Sequence, residues 1–145
     1  MALEPFVNFG GNCREAVTYY AKVFGSGEPE FMTFRDAPPD ESMPLTEADK
    51  DLVMYTDLAI AGVRVMFCDT PSGMSFIPGN NISLTIVTKD TDEIRRLFRE
   101  LGDGGEVEMA LQRTVWSLLY GAVTDRFGIH WQFSHDSGPE IMSGK

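Results

Sequence analysis

The sequence predicts an α+β fold made of two βαβββ modules in tandem, with mostly antiparallel sheets that curl around a cavity. Two observations lead to this prediction. The order strand, helix, strand, strand, strand occurs twice along the 145 residues. The two predicted helices also end alike, in Val23-Phe24-Gly25 and in Glu100-Leu101-Gly102. An internal duplication of one βαβββ unit accounts for both.

The first module is predicted to span about residues 1–70 as one strand, one helix and three further strands. The helix begins at Asn12, where Glu15 three residues later would complete a capping box, and Gly25 ends it. The strands are predicted at residues 5–9, 30–35, 52–60 and 63–69. Between them, the Pro-rich and acidic stretch 36–51 is typical of a mobile surface loop or a flap over a site.

The second module is predicted at about residues 81–135, after a Pro-, Ser- and Gly-rich linker at about 71–80. Asp90 or Thr91 caps its helix and Gly102 ends it. Residues 136–145 form a polar tail. The strands are predicted at 81–87, 106–111, 115–123 and 129–134.

Alternation along the strands gives each sheet an apolar face for its helix and a second face of mixed polarity. In the last strand, Trp131 and Phe133 share the apolar face, and His130 and Gln132 share the other. The mixed face either meets water or lines a cavity. The cavity is favoured because large side chains are costly to expose together, here Phe9, Tyr55, Met66, Trp116 and Tyr120.

Composition restricts the class of partner. Twelve Lys and Arg against 22 Asp and Glu give a formal charge of −10, which disfavours nucleic acid and anionic membranes as partners. No apolar run is long enough to span a membrane and no signal peptide is recognisable, so we expect a cytoplasmic protein. In that compartment Cys13 and Cys68 are expected to be free thiols.

Two motifs resemble those of PhnB-like proteins, members of the vicinal oxygen chelate superfamily of glyoxalases, dioxygenases, and fosfomycin and bleomycin resistance proteins. The first is Gly11-Asn12-Cys13-Arg14-Glu15-Ala16, followed by Tyr19-Tyr20 and Val23-Phe24-Gly25. The second is the closing run from Tyr120-Gly121 through Asp125-Arg126-Phe127-Gly128 to Trp131. The resemblance covers roughly residues 4–135 and implies the duplicated fold. A homodimer is also expected, because four-stranded modules leave sheet edges exposed.

Proteins of this type often carry a 3-demethylubiquinone methyltransferase label. The sequence does not support that chemistry. A Gly-rich GxGxG motif after the first strand is absent, and the chain is too short for a Rossmann methyltransferase. We therefore expect no methyltransferase activity.

The resemblance also implies metal-ligand positions, usually His or Glu, on the first and last strand of each module. They fall here at Pro5, Met66, Asn81 and Gln132, and Tyr55 replaces a histidine common in the third strand. Neutral, weak donors cannot hold a catalytic transition metal well. We expect no cofactor, with a divalent metal held by residues such as Glu4, Asp57 and His130 as the alternative.

The function expected from these features is binding of a small organic molecule in the cavity between the modules, without a catalytic metal. One alternative is a metal-dependent enzyme of glyoxalase or dioxygenase type with an atypical site. Another is a non-catalytic structural or regulatory dimer. No catalytic residue is assigned, although Asp57 and His130 could form an acid–base pair within hydrogen-bond reach. The candidate pocket residues are Phe9, Tyr55, Asp57, Arg64, Met66, Cys68, Asn81, Trp116, His130 and Gln132.

Overall fold

A computed structural model describes residues 1–143 of the chain and divides it into two compact units, residues 1–77 and residues 78 onward. Each unit contains one α-helix and four strands. The elements are β1 (Phe6–Phe9), α1 (Cys13–Phe24), β2 (Met32–Thr33), β3 (Val53–Ile60), β4 (Val63–Asp69), β5 (Leu84–Thr88), α2 (Thr91–Gly102), β6 (Glu106–Gln112), β7 (Tyr120–Thr124) and β8 (His130–His135). Short 3-10 helices lie at Phe34–Asp36, Asp49–Asp51 and Pro139–Ser143.

The two units share one strand topology. The first sheet has the order β1-β4-β3-β2 and the second β5-β8-β7-β6. The first and last strands of each unit are parallel neighbours, and the remaining pairs are antiparallel. Both sheets are open. The prediction of an α+β fold with two βαβββ modules and mostly antiparallel sheets is therefore confirmed.

In the first unit, α1 buries an apolar stripe against the side of the sheet that carries Phe67. Tyr20 on the helix is fully buried, and its ring centroid lies 5.9 Å from that of Phe67. Phe9 is 2% exposed and stacks on Phe67 at 6.2 Å. The placement of Phe9 in the pocket was wrong. Phe9 has the same parity along β1 as Val7, which pairs with Phe67, so both point toward the helix.

The N-terminus of α1 is capped by a residue from β4. Asn12 occupies the N-cap position but makes no side-chain cap hydrogen bond, so the predicted capping box is wrong. The Oδ1 atom of Asp69 accepts instead from the backbone N–H of Gly11 at 3.0 Å and of Cys13 at 2.9 Å. Its Oδ2 accepts from the N–H of Val53 at 3.0 Å. This buried carboxylate therefore joins three segments of the first unit.

In the second unit, α2 packs on the side of the sheet that carries Trp131 and Phe133, as the alternation predicts. Both side chains are buried, and the Phe98 ring of α2 lies edge-on to Phe133 at 6.0 Å. Asp90 caps the helix as predicted, since its side chain accepts from the N–H of Glu93 at 3.1 Å.

Several predicted strand ends differ from the structure. The strand predicted at residues 115–123 begins as β7 only at Tyr120, because Thr114 and Ser117 close a turn in which Thr114 N–H donates to Ser117 O at 2.9 Å. β5 begins at Leu84 rather than at residue 81, and β2 has only two residues. The predicted tail contains the 3-10 helix Pro139–Ser143, and its residues 144–145 lie outside the described residues. Among residues 1–143, no helix is both long and apolar enough to cross a membrane.

Candidate functional site

The side of the first sheet that faces away from α1 carries a mixture of polar, aromatic and sulfur side chains. Strand register sets the neighbours on this helix-free face. Phe6 pairs with Met66, and Met66 pairs with Asp57 on its other side. Cys68 pairs with Asn8 in the next row. The helix-free face of the first sheet consists of Phe6, Asn8, Tyr55, Asp57, Arg64, Met66 and Cys68.

Hydrogen bonds orient the charged groups on this face. The Tyr55 hydroxyl donates to Asp57 Oδ2 at 2.7 Å. Because the carboxylate accepts a hydrogen bond from the protonated phenol, this bond raises the pKa of Tyr55, with a smaller contribution from desolvation. Arg64 makes an ion pair with Glu4 at 2.8 Å. The predicted candidates Tyr55, Asp57, Arg64 and Met66 thus share one surface, and Phe6 at 49% exposure belongs with them.

The two cysteines are free, as predicted, and lie on opposite sides of the sheet. Cys68 is on the helix-free face and its thiol donates to Asn8 Oδ1 at 2.9 Å. Desolvation, followed by the charge of Asp69, raises the pKa of both thiols. The thiolate is the nucleophilic form, so neither cysteine is activated for attack at neutral pH.

An open groove of about 700 Å³ adjoins the Tyr55–Asp57 pair. The segment between α1 and β2 forms its other wall. That segment is held in part by Arg14, whose guanidinium lies 4.5 Å from the centroid of the Phe31 ring. The groove therefore combines aromatic and thioether surface with carboxylates. The lining residues that define its chemistry are Glu28, Glu30, Phe31, Met32, Tyr55 and Asp57.

The second sheet has a comparable helix-free face, on which Gln132 lies between Thr85 of β5 and Ala122 of β7. The Tyr120 hydroxyl donates to Gln132 Oε1 at 2.6 Å. Trp116 is 47% exposed and contacts Tyr120 edge-on at 5.2 Å. A tyrosine bound to an acceptor beside an exposed aromatic ring therefore occurs on both sheets.

His130 is fixed through both ring nitrogens. Its Nε2 lies 3.1 Å from the carbonyl oxygen of Gly79, which can only accept, so Nε2 carries a proton and donates. Its Nδ1 lies 2.8 Å from Thr124 Oγ1, which also lies 2.8 Å from Glu108 Oε1. The threonine hydroxyl has one proton to give to one of these two neighbours. His130 is thus part of a chain of hydrogen bonds with Thr124 and Glu108. Asp57, which the sequence suggested as its acid–base partner, is hydrogen-bonded to Tyr55.

A cavity of about 320 Å³ lies beside this chain within the second unit. Asn81 lines it, although Asn81 precedes β5 and does not lie on the strand where the sequence placed it. The correction changes the residue's setting from a regular strand to an exposed connecting segment. The other lining residues that matter chemically are Ser83, Glu108, His130 and Gln132.

The donor set does not fit the metal that the superfamily implies. The amide oxygen of Gln132 already accepts from Tyr120, and Pro5 offers only a backbone carbonyl that accepts from Met66 N–H at 3.0 Å. Met66 and Asn81 supply a thioether and a neutral amide, which are poor ligands for zinc, iron or manganese. Within the part of the chain that the structure describes, no group of three or more His, Cys, Asp or Glu could hold a metal ion.

The closing motif is explained by contacts within the second unit. The side chain of Asp125 accepts from Phe127 N–H at 2.9 Å, from Ile129 N–H at 3.0 Å and from the Trp131 indole N–H at 2.8 Å. Gly128 has a φ of 89°, which favours glycine. Residues 125–128 of the motif therefore form a turn that holds β7 to β8.

Two residues of this site were missed in the sequence. Thr124 pairs with His130 across β7 and β8, and correct strand alternation in β7 could have placed it there. Glu108 could not be found in this way, because the register of β6 shifts between Val107 and Met109.

Comparison with known proteins gives consistent matches. A family model described as 3-demethylubiquinone-9 3-methyltransferase matches residues 1–134. Protein YjdN of Escherichia coli (strain K12) is 31% identical over 141 residues, which cover 92% of this chain and 95% of that protein.

Solved structures agree. Protein PA1353 from Pseudomonas aeruginosa is 31% identical, with a TM-score of 0.80 over 93% of this chain and 97% of that one. The fosfomycin resistance protein FosX from Listeria monocytogenes is 10% identical, with a TM-score of 0.62 over 98% of both chains, and shows the fold alone. The chain therefore belongs to the PhnB-like family whose model bears the methyltransferase description, and its fold is similar to that of the vicinal oxygen chelate protein FosX.

Proposed function

We propose that the protein binds a small organic molecule on the helix-free faces of its sheets and does so without a catalytic metal. The observation that carries the proposal is the pairing of a bound tyrosine with an exposed aromatic ring on each face. Tyr55 donates to Asp57 beside Phe6, whose ring lies edge-on at 6.2 Å. Tyr120 donates to Gln132 beside Trp116. Apolar surface with a few oriented polar groups is the usual composition of a ligand site.

Exposure of the aromatic rings supports this proposal. Phe6 is 49% exposed and Trp116 is 47% exposed. Large apolar groups grouped on one surface often mark a place where another molecule binds. The adjoining cavities, of about 700 Å³ in the first unit and about 320 Å³ in the second, lie in or near the size range of small-molecule sites.

The chemistry of the donors favours this proposal over a metal-dependent glyoxalase or dioxygenase. A Lewis-acid mechanism needs charged or imidazole ligands with open lone pairs. At the positions implied by the superfamily, this chain has Pro5, Met66, Asn81 and Gln132. We propose no methyltransferase activity either, because β1 is followed by Gly10-Gly11-Asn12 and not by a GxGxG loop.

A homodimer is part of the same proposal. Strand β6 lies at an edge of the second sheet, and six of its seven residues are exposed in the single chain. Exposed edge strands and their apolar side chains, here Val107 and Met109, are commonly covered by a partner. Sedimentation equilibrium would give two chains per particle if the proposal holds and one chain if it does not.

The test of ligand binding is a thermal-shift screen of aromatic and heteroaromatic metabolites, with and without EDTA. We expect at least one class to raise the melting temperature equally in both conditions. Tyr55→Phe or Tyr120→Phe should weaken binding of that class by about fivefold to tenfold, the value of one lost hydrogen bond. Met74→Leu, an exposed position outside these faces, is the matched control.

The metal content of the untagged protein tests the second part of the proposal, that no catalytic metal is bound. Plasma mass spectrometry after incubation with zinc, nickel, manganese and iron should find well under one metal per chain. Near-stoichiometric metal that survives dialysis, or a thermal shift that requires a divalent ion, would contradict the proposal and favour the atypical metalloenzyme. A ligand whose affinity is unchanged in both tyrosine variants would contradict the location of the site.

A further inference from the structure

A third cavity lies under the loop that follows β2, in the first unit. Its volume is about 330 Å³, and we call it the loop cavity. Met54 in β3 is one of the residues that line it. Because Met54 alternates with Tyr55 along the strand, the loop cavity is on the opposite side of β3 from the helix-free face. Its apolar lining consists of Phe34, Ala37, Pro38, Pro39, Met43, Leu45 and Met54.

The loop that covers this cavity is anchored by a buried carboxylate. Asp49 is 4% exposed, and its Oδ1 accepts from Ser72 N–H at 3.1 Å. Its Oδ2 accepts from the Ser72 hydroxyl at 2.8 Å and from Thr46 N–H at 3.1 Å. In return, Thr46 Oγ1 accepts from Asp49 N–H at 3.1 Å. These hydrogen bonds therefore tie the end of the loop, at Thr46 and Asp49, to the segment after β4.

Two cations also line the loop cavity, and one exposed carboxylate binds both of them. Glu47 is 3.0 Å from Lys50 and 3.5 Å from Arg35, and its side chain is 78% exposed. Arg35 has a second partner in Asp51 at 3.0 Å. Ion pairs at such exposure are weak, so another anion can compete with Glu47. Asp40 is the acidic residue in the lining. Its carboxylate accepts hydrogen bonds from Ser42, whereas Glu47 is the carboxylate that is paired with both cations.

We propose that the loop cavity is a binding site for a molecule with an apolar chain or ring that ends in one anionic group. The apolar part contacts the two methionines and Leu45, and the anion replaces Glu47 at Lys50 and Arg35. A cavity of this size with apolar walls and a charged mouth suits such an amphiphile. The proposal is independent of the ligand proposed above, since it concerns the other side of β3.

Three eight-carbon probes test the proposal: octanoate, octan-1-ol and octylamine. Methyl-labelled methionine gives a separate NMR signal for each site. Met43 and Met54 report on the loop cavity, while Met32 and Met66 report on the groove and the helix-free face. Single Met→Leu variants assign the signals.

We expect saturating shifts at Met43 and Met54, with octanoate binding tighter than octan-1-ol and octylamine weakest. Shifts confined to Met32 and Met66 would overturn the proposal. So would the absence of saturation at roughly 10 mM octanoate, because that concentration reaches well past a millimolar dissociation constant. Equal affinity for the three probes would overturn the role of the cations.

Charge variants sharpen the test without altering the apolar wall. Lys50→Gln should weaken octanoate by about twofold to fivefold, and Glu47→Gln should strengthen it by a similar factor, the range for exposed ion pairs. Neither should change the affinity for octan-1-ol. Lys22→Gln on the exposed side of α1 is the control for net charge, and an equal effect there would contradict a local site. Leu45→Trp should remove octanoate binding by filling the cavity. If the Leu45→Trp protein does not fold, the charge variants alone test whether octanoate binds there.

Discussion

Asp69 at the end of β4 accepts a hydrogen bond at 2.9 Å from the backbone N–H of Cys13 at the start of α1, 56 residues away in the sequence. The same carboxylate accepts from Gly11 and from Val53. One side chain thus satisfies two donors at a helix N-terminus and one in a sheet, all in the first unit. These bonds are charge-assisted and largely shielded from water, so their loss leaves buried donors without partners.

We expect Asp69→Asn to lower the free energy of unfolding by about 1–3 kcal/mol, because the amide cannot accept from every donor that the carboxylate serves. Urea denaturation followed by circular dichroism measures this value. Asp136→Asn removes the same charge at an exposed site and should change stability by less than about 0.5 kcal/mol. Equal effects of the two variants would show that Asp69 contributes through net charge and not through these bonds.

The anchor at Asp49 predicts a pH dependence. Hydrogen bonds from Ser72 N–H and Thr46 N–H lower the pKa of Asp49 below its usual 3.8. A carboxyl with a lowered folded-state pKa stabilises the fold above its unfolded pKa, and this stabilisation is lost as the pH falls through the folded value. The stability difference between the native chain and Asp49→Asn should therefore be constant from roughly pH 5 to pH 8 and shrink below about pH 4.

Asp51→Asn is a suitable comparison for this pH series, since its side chain is 73% exposed. Its difference from the native chain should be smaller at every pH. A difference for Asp49→Asn that grew on acidification would contradict the assignment of the anchor.

Glycine at position 105 is required by a close backbone approach. A Cβ atom there would clash with Thr124 O and would lie 2.9 Å from the Cα of Asp125. Backbone cannot move aside as a flexible side chain can, so Gly105→Ala should destabilise the protein by about 1–3 kcal/mol. Gly73→Ala, where the nearest atom is Pro44 O at 4.0 Å, is the matched control and should be near neutral. Thermal unfolding monitored by fluorescence compares the two, and equal losses would contradict the steric argument.

Local signals predicted most of the fold. The bounds of β4 were predicted as residues 63–69 and are Val63–Asp69. The end of α1 follows from Gly25, whose φ of 62° is unfavourable for other residues. The N-cap Asp90 binds the N–H of Glu93, three residues away. In each case the determining contact lies within a few residues, which is the range that periodicity and capping rules describe.

The errors share a different cause. Asn12 fits the capping rule, yet its side chain makes no cap hydrogen bond, and Asp69 from a distant strand accepts from the N–H groups of Gly11 and Cys13 on either side of it. Phe9 is aromatic and near the first motif, but its pairing in β1 turns it toward Phe67 and the core. Both outcomes depend on which strands become neighbours and in which register. The sequence pattern of a single strand does not contain that information.

The Tyr55–Asp57 pair allows a direct test of the candidate site in solution. The hydrogen bond to the carboxylate is the main cause that raises the pKa of Tyr55. Asp57→Asn removes the negative charge and should lower that pKa toward 10.0, the ordinary value for tyrosine. Ultraviolet difference titration of the four tyrosines, compared with Tyr55→Phe, isolates this transition.

Tyr120 serves as an internal control for that titration. Its pKa is also raised, but by desolvation, and its partner is the neutral amide of Gln132. The Tyr120 transition should therefore stay in place in Asp57→Asn. If the Tyr55 transition also stays in place in Asp57→Asn, the Tyr55 hydroxyl does not donate a hydrogen bond to Asp57 in solution. The polar pair proposed for the ligand-binding surface of the first sheet would then not be formed.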